Sequence, residues 1–211
     1  MKTDELIGLL ARGAGAAPRG VVAKRLGTAM ALGLVAGLAI AFGWLGFIPG
    51  EMFAMPAPWF KLVYAAALAG AAVWLTSRLA RPGARTEAAA ATTALVVLAA
   101  VLVGLAAWQA TPPEVRMKGL LGHSWWDCPW FVLTISLPAL AALLWAMRGL
   151  APTRPRAAGF AAGLLAGAIG AGAYALACTE LAMSFVAAWY TLGMLMAGAL
   201  GALLGPRVLR W

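Results

Sequence analysis

The sequence predicts an all-α polytopic membrane protein with six transmembrane helices, and three observations carry that prediction. First, six apolar stretches cross the chain, at 26–48, 59–79, 88–108, 128–147, 157–178 and 182–204. Each is about 20 residues with almost no formal charge, the length a helix needs to cross ~30 Å of hydrocarbon. A helix is forced there, because lipid offers no partner to an unpaired backbone group. Second, the 16 cations divide unevenly between alternate connections. Lys2, Arg12, Arg19, Lys24, Arg25, Arg78, Arg81, Arg85, Arg148, Arg154, Arg156, Arg207 and Arg210 fall on one side, and only Lys61, Arg116 and Lys118 on the other. Positive residues are retained in the cytoplasm, so both termini are expected there. Third, aromatic residues gather near the span ends: Trp44, Trp59, Trp108, Trp125, Trp126, Trp130, Trp189 and Tyr190 at the outer ends, Trp74, Trp145 and Trp211 at the inner ones. Trp and Tyr prefer the headgroup level, so two belts are expected.

Composition limits what else the chain can do. With 64% hydrophobic and 11% charged residues in 211, little remains for a soluble domain. The net charge of +9 would suggest nucleic acid in a soluble protein. Here the charges sit at helix ends and in short loops, where orientation explains them, so no direct nucleic-acid contact is expected. The run at 26–48 exceeds the ~7–15 residues of a signal-peptide core and is read as a retained first span. The chain therefore divides into an inside N-terminal segment and tether (1–25), a six-helix domain (26–204) and an inside tail (205–211).

Within residues 1–25, Thr3 can cap a short helix with Asp4 and Glu5 in its first turn, favourable at the positive end of the dipole. Leu6, Ile7, Leu9 and Leu10 then form an apolar stripe, with Arg12 in the last turn; Gly13, Gly15 and Pro18 end the helix. A helix of about ten residues is marginal alone. The pattern fits a membrane-surface anchor or a docking peptide, and the residues alone leave both open.

The inside loops RPGARTE and RGLAPTRPR read as tight turns without room for a catalytic domain. Gly159, Gly163, Gly167, Ala171 and Ala175 line one face of the fifth span, and Gly193, Ala197, Gly201 and Gly205 one face of the sixth. Such stripes let membrane helices approach closely, either with each other or across a dimer seam. Pro138 lies mid-span in the fourth helix, as a static kink or a hinge.

The span interiors hold no acid, Arg or His, and Lys61, near the outer end of the second span, is expected to snorkel outward. This speaks against ion-coupled transport. No nucleotide loop, zinc-protease motif or nucleophile–base pair is present, so neither catalysis nor a cofactor is expected. Two cysteines remain: Cys128 opens the fourth span and Cys178 ends the fifth, so both sulfurs should lie at the outer surface. A disulfide or oxidation switch is the better reading. His123, Asp127 and Glu180 lie close enough in sequence to join a thiophilic metal site, but their spacing fits no standard zinc module.

The opening MKTDELIGLLA, the run Gly122-His123-Ser124-Trp125-Trp126-Asp127-Cys128-Pro129, then Ser136 with Pro138, Gly159 and Gly163, Cys178-Thr179-Glu180, Phe185 and the Trp189-Tyr190 pair follow in order. In these the chain resembles the NrsF family of bacterial membrane anti-sigma factors, over essentially its whole length. The resemblance implies an inner-membrane protein whose inside N-terminal segment holds an extracytoplasmic-function sigma factor. It also implies that the two outer cysteines sense oxidative or heavy-metal stress. The runner-up is a small redox- or metal-handling membrane protein or transporter; a third reading is a structural subunit of a larger complex. The oligomeric state is not legible.

Overall fold

The computed structural model describes residues 3–13, 20–150 and 152–210. Lys2, Gly15, Pro18, Arg19 and Trp211, and the side chains of Leu10 and Arg12, lie outside the described residues. Eight helices follow one another: α1 (Thr3–Gly13), α2 (Val21–Leu45), α3 (Pro56–Leu79), α4 (Glu87–Ala110), α5 (Pro113–Leu121), α6 (Cys128–Arg148), α7 (Pro155–Ala175) and α8 (Met183–Val208). Six of them, all but α1 and α5, are long and apolar enough to cross a membrane. The described residues contain no strand.

The helix ends follow backbone chemistry more closely than hydropathy does. α2 begins at Val21, ahead of the apolar stretch, because a helix can carry Lys24 and Arg25 into the headgroup layer. It stops before Gly46, whose φ of 80° is open to glycine and costly for other residues. A short 3₁₀ turn, Gly50–Ala54, then leads to α3, which opens on Pro56, a residue whose missing N–H costs nothing in a first turn. α7 ends at Ala175, three residues short of the predicted stretch, so Cys178 lies beyond the helix rather than at its last turn. The loop between α4 and α6, expected on the outer side (the label outer is kept for this end of the bundle), contains a further helix, α5, which also starts on proline. α8 opens with a π-helical turn at Val186–Tyr190, where Ala187 meets the backbone of Gly104 on α4.

α7 is the centre of the bundle: 83% of its span window is buried, against 22% for α4 at the periphery. Glycine sets this. A Cβ at Gly159 would strike the carbonyl of Gly201, one at Gly163 that of Ala197, and one at Gly205 that of Pro155. At Gly167 it would come 2.9 Å from Cα of Met194. Gly159, Gly163 and Gly167 therefore face Ala197, Gly201 and Gly205 within one chain, which favours internal packing over a dimer seam for these stripes, while Gly193 meets Val132 of α6 instead. On another face, Gly170 lets α7 approach Ser136 of α6, where an added Cβ would lie 2.8 Å from the Ser136 nitrogen. α6 runs continuously through Pro138.

Apolar side chains pack in two layers. The layer at one end joins Leu26, Leu79, Ala89, Met147, Ala158 and Leu209; the layer at the other joins Ala41, Tyr64, Ala100, Cys128, Ala175 and Cys178. Alternating ends of successive spans thus meet, as six antiparallel crossings require. Trp44, Trp59, Trp74, Trp126, Trp130 and Trp145 are exposed, in keeping with the belts. Tyr190 is a correction: it is fully buried, turned into the bundle against Tyr174, with ring centroids 5.5 Å apart.

Because the atoms opposing Gly163 are backbone, they cannot rotate away from a new side chain. Gly163→Leu is expected to cost at least the ~1–3 kcal/mol of ordinary overpacking. It should appear as a lowered melting temperature and loss of monodisperse protein in detergent. Gly70→Leu, in open space on a lipid-facing surface, should leave both unchanged.

Candidate functional site

Of the residues quoted for the family resemblance, Gly122–Pro129, Cys178–Glu180, Phe185 and the Trp189–Tyr190 pair converge at one end of the bundle, where α6, α7 and α8 meet α3. Glu180, in the link between α7 and α8, organises the loop before α6. Its Oε1 accepts hydrogen bonds from the backbone N–H of His123 (2.7 Å) and from the N–H and Oγ of Ser124 (both 3.1 Å). Gly122 makes this possible twice over. Its φ of 57° is the left-handed region, and a Cβ there would lie 2.5 Å from Glu180 Oε2. Trp125 packs on Trp126 and Trp189, at 5.6 and 5.5 Å between centroids, and Trp189 Nε1 donates to the Leu120 carbonyl at 2.8 Å. The GHSWW run and the WY pair are thus halves of one cap.

Beneath it lie both cysteines, buried and free as thiols. The Cys128 N–H donates to the Ser124 carbonyl at 2.8 Å, and the Cys178 N–H to that of Tyr174 at 2.9 Å. Both share an apolar layer with Tyr174 and Tyr190, and Tyr174 stands within interaction range of both thiols. Among the described residues, the Tyr190 hydroxyl is buried with no hydrogen-bond partner. An unpaired buried hydroxyl is costly, so this pocket holds unused polar capacity beside two sulfurs.

Lys61 corrects the sequence reading. It does not snorkel: its side chain is 0% exposed, and its Nζ donates to the Cys178 carbonyl at 2.7 Å. A buried ammonium is expensive unless paired, and this one also lies within electrostatic range of Cys128. One turn along α3, the Tyr64 hydroxyl meets Thr191 Oγ1 at 2.7 Å, tying α3 to α8. Spacing carried a usable signal, since Lys61 and Tyr64 stand three apart on one helical face.

Of the possible metal partners, His123 is 91% exposed with Nδ1 3.9 Å from Glu180 Oε1, and Glu180 is only 11% exposed. Asp127 is exposed at the start of α6 and makes no side-chain cap. Among the described residues, no three His, Cys, Asp or Glu side chains are grouped so as to hold a metal ion. At the opposite end, α1 carries exposed Asp4 and Glu5, and its Leu6, Ile7 and Leu9 are 42%, 59% and 56% exposed. The two sets of candidate residues are thus separate: the cysteines in a buried outer cap, the stripe on an exposed helix that precedes the first span.

No solved structure matches this chain. A probable anti-sigma-F factor NrsF of Azospira oryzae is 40% identical over 213 aligned residues, with all of both chains covered. An anti-sigma-F factor NrsF of Caulobacter vibrioides is 40% identical over 216, again with all of both chains covered. The family described as "Negative regulator of sigma F" matches residues 10–211, from the last turn of α1 through every span and the whole outer cap. The chain belongs to this NrsF family.

Proposed function

We propose that this chain is an anti-sigma factor of the bacterial inner membrane. It holds an extracytoplasmic-function sigma factor through residues 1–25 and releases it on an oxidative or heavy-metal signal at Cys128 and Cys178. The observation that carries the capture step is the exposed apolar face of α1: three large aliphatic side chains stand unburied on an 11-residue helix. Such a helix gains stability by laying that face in a groove. Asp4 and Glu5 give the same helix an acidic end that suits a basic partner, and Leu10 extends the stripe. Both termini lie in the cytoplasm on this reading, where a sigma factor is available.

The signal step uses the outer cap. On oxidation the two thiols yield two electrons and two protons to an envelope oxidant as the S–S bond forms; a thiophilic divalent ion displaces the same two protons. Any thiolate formed on the way has the Lys61 ammonium nearby as counter-charge. Lys61 is also the one observation that favours a transporter, because buried ionisable groups mark ion pathways. Its ammonium is committed to a backbone carbonyl, and among the described residues no acid, Arg, His or second Lys continues a relay into the spans.

Three outcomes test the proposal. A reporter active only outside the cytoplasm should be silent when fused to either terminus and active when inserted after Lys118. Signal at a terminus would invert the topology. Leu6→Asp combined with Leu9→Asp should weaken recovery of the sigma factor on membranes by roughly 30-fold, the loss of a ~2 kcal/mol anchor, with insertion intact. Undiminished recovery would move the contact to the inside loops. Cys128→Ser, Cys178→Ser and the double variant should all keep the sigma factor restrained while failing to release it on oxidant or cadmium. Normal induction in the double variant would remove the thiols from the mechanism.

A further inference from the structure

α4 is the most exposed span; its inner end packs on α3 through Ala89, and its outer half is held by the π turn of α8 at Gly104. Its inner half stands away from α7. Between them runs a crevice of about 650 Å³, lined on α4 by Ala90, Ala94, Val97 and Val101 and across from it by Phe160 and Leu164. Thr86 to Val101 spans fifteen helical rises, or ~22 Å, more than the ~15 Å depth of one leaflet. The lining is largely apolar; its polar members are Thr93 within and Thr86 and Arg154 at the mouth, of which only Arg154 is charged.

At that mouth the crevice meets a second, polar pocket of about 240 Å³, and the two share Leu79, Thr86 and Arg154. Arg78, Arg81, Arg85 and Arg154 surround the polar pocket, drawn from α3, the loop after it and the loop before α7. Glu87 is the one carboxylate in its wall, and among the described residues no carboxylate lies within ion-pair distance of any of the four arginines. Orientation charge alone requires cations in these loops; it does not require them gathered round the open end of an acyl-sized crevice.

We propose that this is a binding site for one anionic phospholipid of the leaflet on the arginine side, its phosphate among the four guanidinium groups and an acyl chain between α4 and α7. Guanidinium groups suit phosphate because their planar donors bind it bidentately. Basic pockets between membrane helices are the usual place for such headgroups. The apolar volume falls within the ~300–1,000 Å³ of ordinary ligand pockets.

The test uses the full chain, purified in mild detergent and stripped of lipid, then titrated with phosphatidylglycerol or phosphatidylcholine of identical acyl chains and read by native mass spectrometry. One phosphatidylglycerol per chain should be retained, at least tenfold more tightly than phosphatidylcholine. Arg85→Gln with Arg154→Gln should weaken phosphatidylglycerol about fivefold per arginine, from the ~1 kcal/mol each cation contributes near a membrane surface. Val97→Trp, which fills the crevice without changing charge, should also weaken it. Equal retention of the two lipids, or retention unaffected by the arginine variants, would make this an unselective apolar groove and overturn the proposal. So would full occupancy by glycerol phosphate alone, or a stable dimer that covers the crevice and excludes lipid.

Discussion

The contact on which the molecule depends is the backbone-to-backbone packing of α7 against α8. In a bilayer, helices gain nothing by hiding apolar surface from lipid, which is itself apolar, so close contact must supply the attraction. Gly159, Gly163 and Gly201 remove the side chains that would hold the two backbones apart. Dispersion contacts then accumulate along most of the helix length. With α7 seated on α8, its other faces accept α3 and α6, and α2 closes over both. α4 remains at the periphery, packed on α3 at its inner end and held by α8 near Gly104, and the crevice runs along its inner half where it does not reach α7.

The outer cap solves a different problem. Residues 176–182 leave the helical ladder just where the chain emerges from the bundle, so their backbone groups need other partners. The Leu176 carbonyl accepts from the Ile48 N–H at 3.0 Å, and the Cys178 carbonyl from Lys61. Two residues on, Glu180 gathers the His123 and Ser124 donors. Cys178 is therefore positioned through its own backbone, leaving its sulfur free of structural duty. Cys128 is placed in the same way, by the Ser124 carbonyl at the start of α6. A pair held by main chain can change its sulfur chemistry without dismantling the loop that carries it.

How much of this the sequence disclosed depends on whether one dimension or three decided the outcome. Span number, the close packing of the glycine stripes of α7 and α8 and the shared level of both cysteines follow from periodicity along single helices, and all are found. The burial of Lys61 does not follow, because snorkelling and burial begin from the same position near a helix end. The choice was made by the Cys178 carbonyl, 117 residues away. Tyr190 was placed in the aromatic belt for the same reason: depth is legible in one dimension, while facing is set by the π turn that re-aims Val186–Tyr190. α5 escaped notice because Pro112, Pro113 and Gly119 read as loop, although proline at a helix start is favourable.

If the thiols carry the signal, the packing also determines which helix moves. α7 cannot slide on α8, since Gly159, Gly163 and Gly205 are in register with backbone opposite them. α6 is held to α7 at its centre through Gly170 and Ser136, two residues before Pro138. Proline leaves the Thr134 carbonyl without its helical donor, so α6 is weakest in bending next to its main fixed point. Drawing Cys128 toward Cys178 would then turn α6 about that point and displace its inner end, at Arg148, against an immobile α7. The inner end of α6 lies beside Arg25 of α2, whose guanidinium already abuts Gly149. α2 is the helix to which α1 is tethered, so a motion at the outer cap reaches the exposed stripe through one bend and one contact.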